Sequence, residues 1–144
     1  MPTFGTVSKR NLAKAHPKIQ AVMNEAIKRI DFKVLDSERG EAAQTRAFLT
    51  GHSKARWKQS AHNYHPSIAV DLFPAPYDWN DNAAFDKLYR VIMEVAKELG
   101  VPLRSGDDWD MNGLRPGDKD NWDAGHYELH PWREWAKGSG LVKD

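Results

Sequence analysis

Ile68-Ala69-Val70-Asp71-Leu72-Phe73 is the stretch on which the fold turns. Five of its residues are apolar, and Pro74 and Pro76 close it. A short apolar run between turn signals reads as a buried strand. Asp71 sits inside it. A carboxylate carried into an apolar run without a partner is costly. Either a neighbouring loop donates hydrogen bonds to it, or a cation neutralises it.

Working outward, the pattern alternates strands and helices around this run. Ile19, Val22, Met23, Ala26, Ile27 and Ile30 recur at helical spacing behind His16-Pro17, with proline suited to a first turn. Phe32 to Leu35 reads as a short strand, and Glu41 to Leu49 as a helix that Gly51 closes. Residues 52–66 are polar and read as loop. Asn82 to Leu99 is the strongest helical pattern, with Phe85, Leu88, Tyr89, Ile92, Val95, Ala96 and Leu99 on one side and Gly100 after it. Val101 to Arg104 and His126 to Leu129 read as strands, residues 105–121 as a long loop, and Pro131 to Ala136 as a last short helix. The expected fold is α+β: one small domain over residues 1–144, an antiparallel sheet flanked by helices, with long loops beside the sheet.

Composition narrows the function. The chain has 144 residues, 40% hydrophobic and 28% charged, as in an ordinary globular domain. Lysine plus arginine (21) nearly balance aspartate plus glutamate (20), which argues against a dedicated nucleic-acid binder. Cysteine is absent, so thiolate metal sites and cysteine nucleophiles are excluded. No apolar stretch approaches the roughly 20 residues needed to span a bilayer. The first twenty residues lack the apolar core of a secretory signal, so synthesis in the cytoplasm without stable membrane association is expected. Six tryptophans are many for this length, and four fall late, at Trp109, Trp122, Trp132 and Trp135. They fill a small core or line a groove for a sugar or peptide; core filling is the commoner use.

Histidines give Asp71 a chemical context. His62 precedes it by nine residues across a polar loop, and His126 opens a later strand. Two imidazoles and a carboxylate, with one position left for water, make an open catalytic zinc site. Hydrolysis at such a site needs a general base. Asp123 lies three residues before His126; Glu128 lies two after it and shares its face in a strand.

These residues resemble the two zinc motifs of the M15 peptidase family, the LAS-type D-alanyl-D-alanine carboxypeptidases, dipeptidases and phage endolysins. Ser60-Ala-His62-Asn-Tyr followed by Pro66-Ser-Ile-Ala-Val-Asp71 is similar to the first motif. Asp123-Ala-Gly-His126-Tyr-Glu128-Leu is similar to the second. Arg39-Gly-Glu-Ala-Ala-Gln44, with Gly51 and Ser53, resembles the segment before the first motif, and Gly106-Asp-Asp-Trp-Asp110 the loop between strands. The resemblance runs from about residue 8 to 135. It implies that His62, Asp71 and His126 bind one catalytic zinc and that Asp123 is the general base and proton donor. It implies that Arg39 stabilises the oxyanion or holds a substrate carboxylate, and that Ser60 and Gln44 contact substrate. One departure stands out: many members have six residues between the first histidine and the aspartate, whereas here there are eight, with His65 among them. The flanking Ser60 and Asn63 favour His62 as the ligand. His52 and His130 match no motif position and are expected on the surface.

The resemblance implies a substrate, the stem peptide of peptidoglycan, and a phage endolysin that cuts between L-alanine and D-glutamate during host lysis. Such an enzyme works as a monomer in the periplasm and needs a holin to reach the wall. The alternatives are a bacterial D,D- or L,D-carboxypeptidase or dipeptidase of the same fold, and a non-catalytic wall-binding module.

Overall fold

The apolar run forms the second strand of a four-stranded antiparallel sheet. The computed structural model describes residues 2–106, 111 and 124–143. In it β1 (Phe32–Asp36), β3 (Ala69–Pro74), β5 (His126–Leu129) and β4 (Leu103–Ser105) lie side by side in that order. Alternation along the strands gives the sheet two unlike faces. Phe32, Val34, Val70, Leu72, Tyr127, Leu129 and Leu103 are buried on one of them. Full burial of each valine, leucine or phenylalanine among them contributes about 1.5–3 kcal/mol. The other face carries Lys33 opposite Phe73, Asp71 opposite His126, and Glu128 opposite Arg104. Asp71, His126, Glu128 and Arg104 therefore share one face of the sheet.

Helices cover the apolar face. Helix α2 (Pro17–Ala26) starts where expected, and the His16 ring accepts from the Lys18 amide at 3.1 Å. Helix α4 (Asn82–Leu99) packs against α2 and the sheet through Phe85, Leu88, Ile92, Val95 and Ala96. Asp81 caps it by accepting from the Ala84 amide, and Gly100 ends it at φ +67°, a conformation that glycine adopts without Cβ strain. Helix α1 (Thr6–Ala13) was not expected. It buries only Ser8 and Leu12, too few apolar positions for a period to show, and is held by polar contacts. Ser8 Oγ accepts from the Val34 amide and Asn11 donates to the Val34 and Leu35 carbonyls, docking α1 on the outer strand.

Three shorter features shape the site. Helix α3 (Glu41–Leu49) keeps the expected bounds. The polar 52–66 segment contains a 3₁₀ turn over Ala61–Asn63 and β2 (Tyr64–His65). The chain end folds back as α5 (Trp132–Ala136) and β6 (Gly140–Leu141), and β6 pairs with β2. Gly125 enters β5 against the backbone of β3. A Cβ there would lie 2.5 Å from the Leu72 carbonyl oxygen, so only glycine lets the strands meet at this point.

Candidate active site

His62 owes its position to the loop's own hydrogen bonds. Ser60 accepts from the His62 amide, and Asn63 Oδ1 accepts from the Ser60 and Lys58 amides, a reciprocal cap on the 3₁₀ turn. The Asn63 amide group donates to the Arg39 carbonyl and to Gln44, and the Arg39 amide donates to the His62 carbonyl at 2.7 Å. On the far side, Val142 donates to the Asn63 carbonyl. The turn is thus clamped between the α3 segment and the chain end.

Asp71 and His126 come from adjacent strands in direct register. Asp71 Oδ1 lies 3.2 Å from His62 Nε2 and 3.2 Å from His126 Nδ1. One ligand atom from each of His62, Asp71 and His126 lies within 4.8 Å of the others. The remaining imidazole nitrogens are held from behind. His62 Nδ1 faces the Ser37 carbonyl at 2.6 Å, and His126 Nε2 faces Glu128 Oε1 at 2.7 Å. Each ring is thereby oriented with its other nitrogen turned to Asp71, the arrangement that supports a metal-ligating histidine. Two imidazoles and a carboxylate without sulfur suit zinc. The donor set therefore fits a metal ion. His65 does not join this group: its side chain is 67% exposed and its Nδ1 contacts Glu38.

Electrostatics bind the three tightly. Burial raises the Asp71 pKa, but the two imidazoles outweigh it and hold the carboxyl well below its ordinary value. Burial lowers the His126 pKa, but hydrogen bonds to Asp71 and Glu128 outweigh it and push the ring up to about 10. The Glu128 carboxyl feels burial upward and is lowered by His126 and Arg104, whose Nη2 donates to it at 2.7 Å. In the metal-free protein these carboxylates favour the protonated ring of His126. Metal uptake is expected to expel that proton, so affinity should climb with pH up to about 10. Calorimetric titration with zinc at pH 7 in buffers of different ionisation heat should show about one proton released. The contribution of His126 to the metal-free fold is complete below 6.5 and is lost as pH rises through about 10.

Arg39 approaches the group from β1's side. Its guanidinium donates to Asp36 at 3.2 and 3.0 Å, to Gln44 Oε1 at 3.0 Å and to Asp71 Oδ2 at 3.3 Å. Asp36 was missed by sequence reasoning. It ends the β1 run, and a register skip after Val34 brings it opposite Asp71, which no local pattern reveals. Gln44 corrects an expectation. It is fully buried, donates to Ser53 Oγ and the Ala55 carbonyl, and accepts from Arg39 and Asn63. A side chain without accessible surface cannot touch substrate; Gln44 sets the position of Arg39 and of the His62 turn.

The group lies at one wall of a cavity of about 440 Å³. Ser60 lines it, as do His52, Lys54, Arg104, Trp132 and Arg133. His52 is exposed, as expected, but faces this cavity; His130 is half-buried rather than on the surface. The Arg133 guanidinium lies 4.4 Å over the Trp132 ring, which packs near Tyr64. Arg39, Lys54, Arg104 and Arg133 outnumber Asp71 and Glu128 in the lining, so the wall carries a cationic excess suited to a ligand bearing carboxylates. Asp123, Trp109, Trp122 and most of the 106–110 segment lie outside the described residues.

The chain is 31% identical over 135 residues to the L-alanyl-D-glutamate peptidase of Escherichia phage T5, covering 88% of this chain and 96% of that protein. Its fold is similar to the crystal structure of the Serratia marcescens L-Ala D-Glu endopeptidase ChiX, with a TM-score of 0.70, 22% identity, and coverage of 93% and 94% of the two chains. The family model described as phage L-alanyl-D-glutamate peptidase matches residues 2–130, a span that includes the assembled His62, Asp71 and His126. The chain belongs to the phage L-alanyl-D-glutamate peptidase family.

Proposed function

We propose that this protein is a zinc-dependent endolysin that hydrolyses the L-Ala–D-Glu bond of the peptidoglycan stem peptide. The observation that carries the reading is the His62, Asp71 and His126 group set in the wall of a cationic cavity. His62, Asp71 and His126 would hold the ion. Zinc, when bound, supplies Lewis acidity that polarises a carbonyl and acidifies water. The protein does the rest. Asp123 takes a proton from the attacking water and returns it to the leaving amine nitrogen of D-glutamate. Arg39, aimed by Asp36 and Gln44, meets the oxygen on which negative charge develops. Ser60 and the cationic wall orient the acidic peptide. On this reading the enzyme acts as a monomer on the wall from the periplasm, and a holin provides access.

The test is mass spectrometry of digested sacculi. New amino-terminal D-glutamate, blocked by a chelator and restored by zinc, supports the proposal. Release of terminal D-alanine alone would make it a carboxypeptidase, and absence of any cut would make it a binding module.

Arg39 gives a sharper check. Its planar fork serves Asp36, Gln44 and Asp71 at once, which a lysine cannot reproduce. Arg39→Lys is expected to lower kcat on the order of 100-fold, the scale of one lost oxyanion donor. Circular dichroism should still report the native fold. A large fall in melting temperature with turnover per folded molecule intact would mark Arg39 as purely structural.

A further inference from the structure

The cations that line the cavity are not alike. Arg39 donates to Asp36, Gln44 and Asp71, and Arg104 donates to Glu128. Lys54 has a partner of its own. Arg133 lines the same cavity and is exposed, and among the described residues it has no carboxylate partner. Its guanidinium lies instead 4.4 Å over the Trp132 ring. Trp132 is half-buried, packs against the core and meets the Tyr64 ring at 5.8 Å. Helix α5, which carries both residues, is tied to the loop that carries His62. It packs on the 3₁₀ turn. Beyond it, β6 pairs with β2, Ser139 Oγ donates to the Pro66 carbonyl, and the Val142 amide donates to the Asn63 carbonyl. The backbone of Arg133 is therefore fixed relative to His62 and the group it belongs to. Stacking engages the face of the guanidinium and leaves its N–H edges for an anion.

We propose that Arg133, stacked on Trp132, is the specificity-determining residue that binds the free carboxylate of the substrate's D-glutamate residue. This rests on the stem-peptide reading above and names the substrate group that the cavity reads. Substrate chemistry supplies the ligand. A glutamate residue inside a peptide gives its amino group and one carboxyl to amide bonds. It keeps the other carboxyl, which is ionised at neutral pH. A cavity that takes up this residue strips water from the anion and must offer it a cation in return. Arg39 and Arg104 are committed to Asp71 and Glu128, the carboxylates on which His126 rests, so diverting either would disturb the metal-ligating group. Arg133 takes a carboxylate without breaking an ion pair. Its planar fork matches the two oxygens of a carboxylate, and its seat on Trp132 limits the side-chain freedom lost on binding. Amidation of that carboxyl removes the charge, so the carboxamide peptide is the poorer substrate.

The experiment compares zinc-loaded wild type, Arg133→Gln and Arg133→Lys on two synthetic stem peptides. They are identical except that the free carboxylate of D-glutamate is a carboxamide in the second. Wild type is expected to favour the carboxylate peptide about tenfold in kcat/KM, mostly through KM, the lower end of what a hydrogen bond between charged groups supplies. Arg133→Gln should bring the ratio of the two peptides to within about twofold of unity. Arg133→Lys keeps the charge but not the fork, and should show an intermediate ratio. The wild-type preference should shrink as salt is raised, because the pair is exposed. Equal cutting of both peptides by wild type overturns the proposal, as does an unchanged preference in Arg133→Gln. An equal loss on both peptides in Arg133→Gln shows a structural role and overturns it too. Calorimetric binding of the same peptides keeps the two claims apart. If wild type cuts neither peptide but binds the carboxylate form more tightly, and Arg133→Gln loses that preference, the carboxylate receptor stands and the hydrolase reading fails. If wild type cuts neither and binds both alike, the receptor falls as well.

Discussion

Replacing Asp123 with alanine is expected to leave zinc bound and the fold intact while removing nearly all hydrolysis. A positioned general acid–base group contributes on the order of 100- to 10,000-fold. The competing carboxylate is Glu128, and its surroundings argue for a different task. It is buried, with one oxygen 2.7 Å from His126 Nε2 and the other accepting from Arg104. Both oxygens are engaged in holding neighbours, and His126 and Arg104 keep the carboxyl a weaker base than an ordinary glutamate. Glu128→Gln is therefore expected to act through the metal, lowering zinc affinity about 10- to 100-fold, as loss of a ligand's supporting carboxylate does. Saturating zinc should restore much of its activity but none to Asp123→Ala. If Asp123→Ala keeps more than about a tenth of wild-type turnover while zinc-loaded Glu128→Gln is dead, the two roles are exchanged.

Removing a ligand should be as severe and should differ in its signature. Wild-type protein is expected to carry about one zinc per chain, and His62→Ala or His126→Ala to carry almost none, with hydrolysis at background. The two losses have different structural costs. His62→Ala deletes a nearly buried ring but leaves the Ser37 carbonyl with the Ser67 hydroxyl at 2.9 Å. His126→Ala removes the ring that faces both Asp71 and Glu128, leaving the half-buried Asp71 and the buried Glu128 less compensated. The metal-free His126 variant should therefore melt lower than the metal-free His62 variant. His65→Ala should retain both zinc and activity, because its ring stands in solvent beside Glu38. Zinc lost from the His65 variant and kept by the His62 variant would reassign the ligand.

What the sequence determined by itself is what local chemistry can encode. Helical spacing and a closing glycine set α4 at Asn82–Leu99, and the proline-bounded apolar run set β3 to within a residue. An acid inside that run, with histidines near it in the chain and no cysteine anywhere, already pointed to a metal site. Tertiary structure decided the rest, because the remaining contacts join residues with no shared local pattern. Only strand register places Asp71 beside His126, 55 residues away, and Glu128 behind it. Only the register skip in β1 brings Asp36 opposite Asp71, and only the packing of α3 against the 3₁₀ turn encloses Gln44, turning an expected substrate contact into a support. Helix α1 stayed hidden because hydrogen bonds to β1, not an apolar stripe, hold it in place. Trp79 shows the same limit: its stacking depends on Phe73 and Phe85 meeting from a strand and a helix, and sequence spacing does not determine where two separate elements pack.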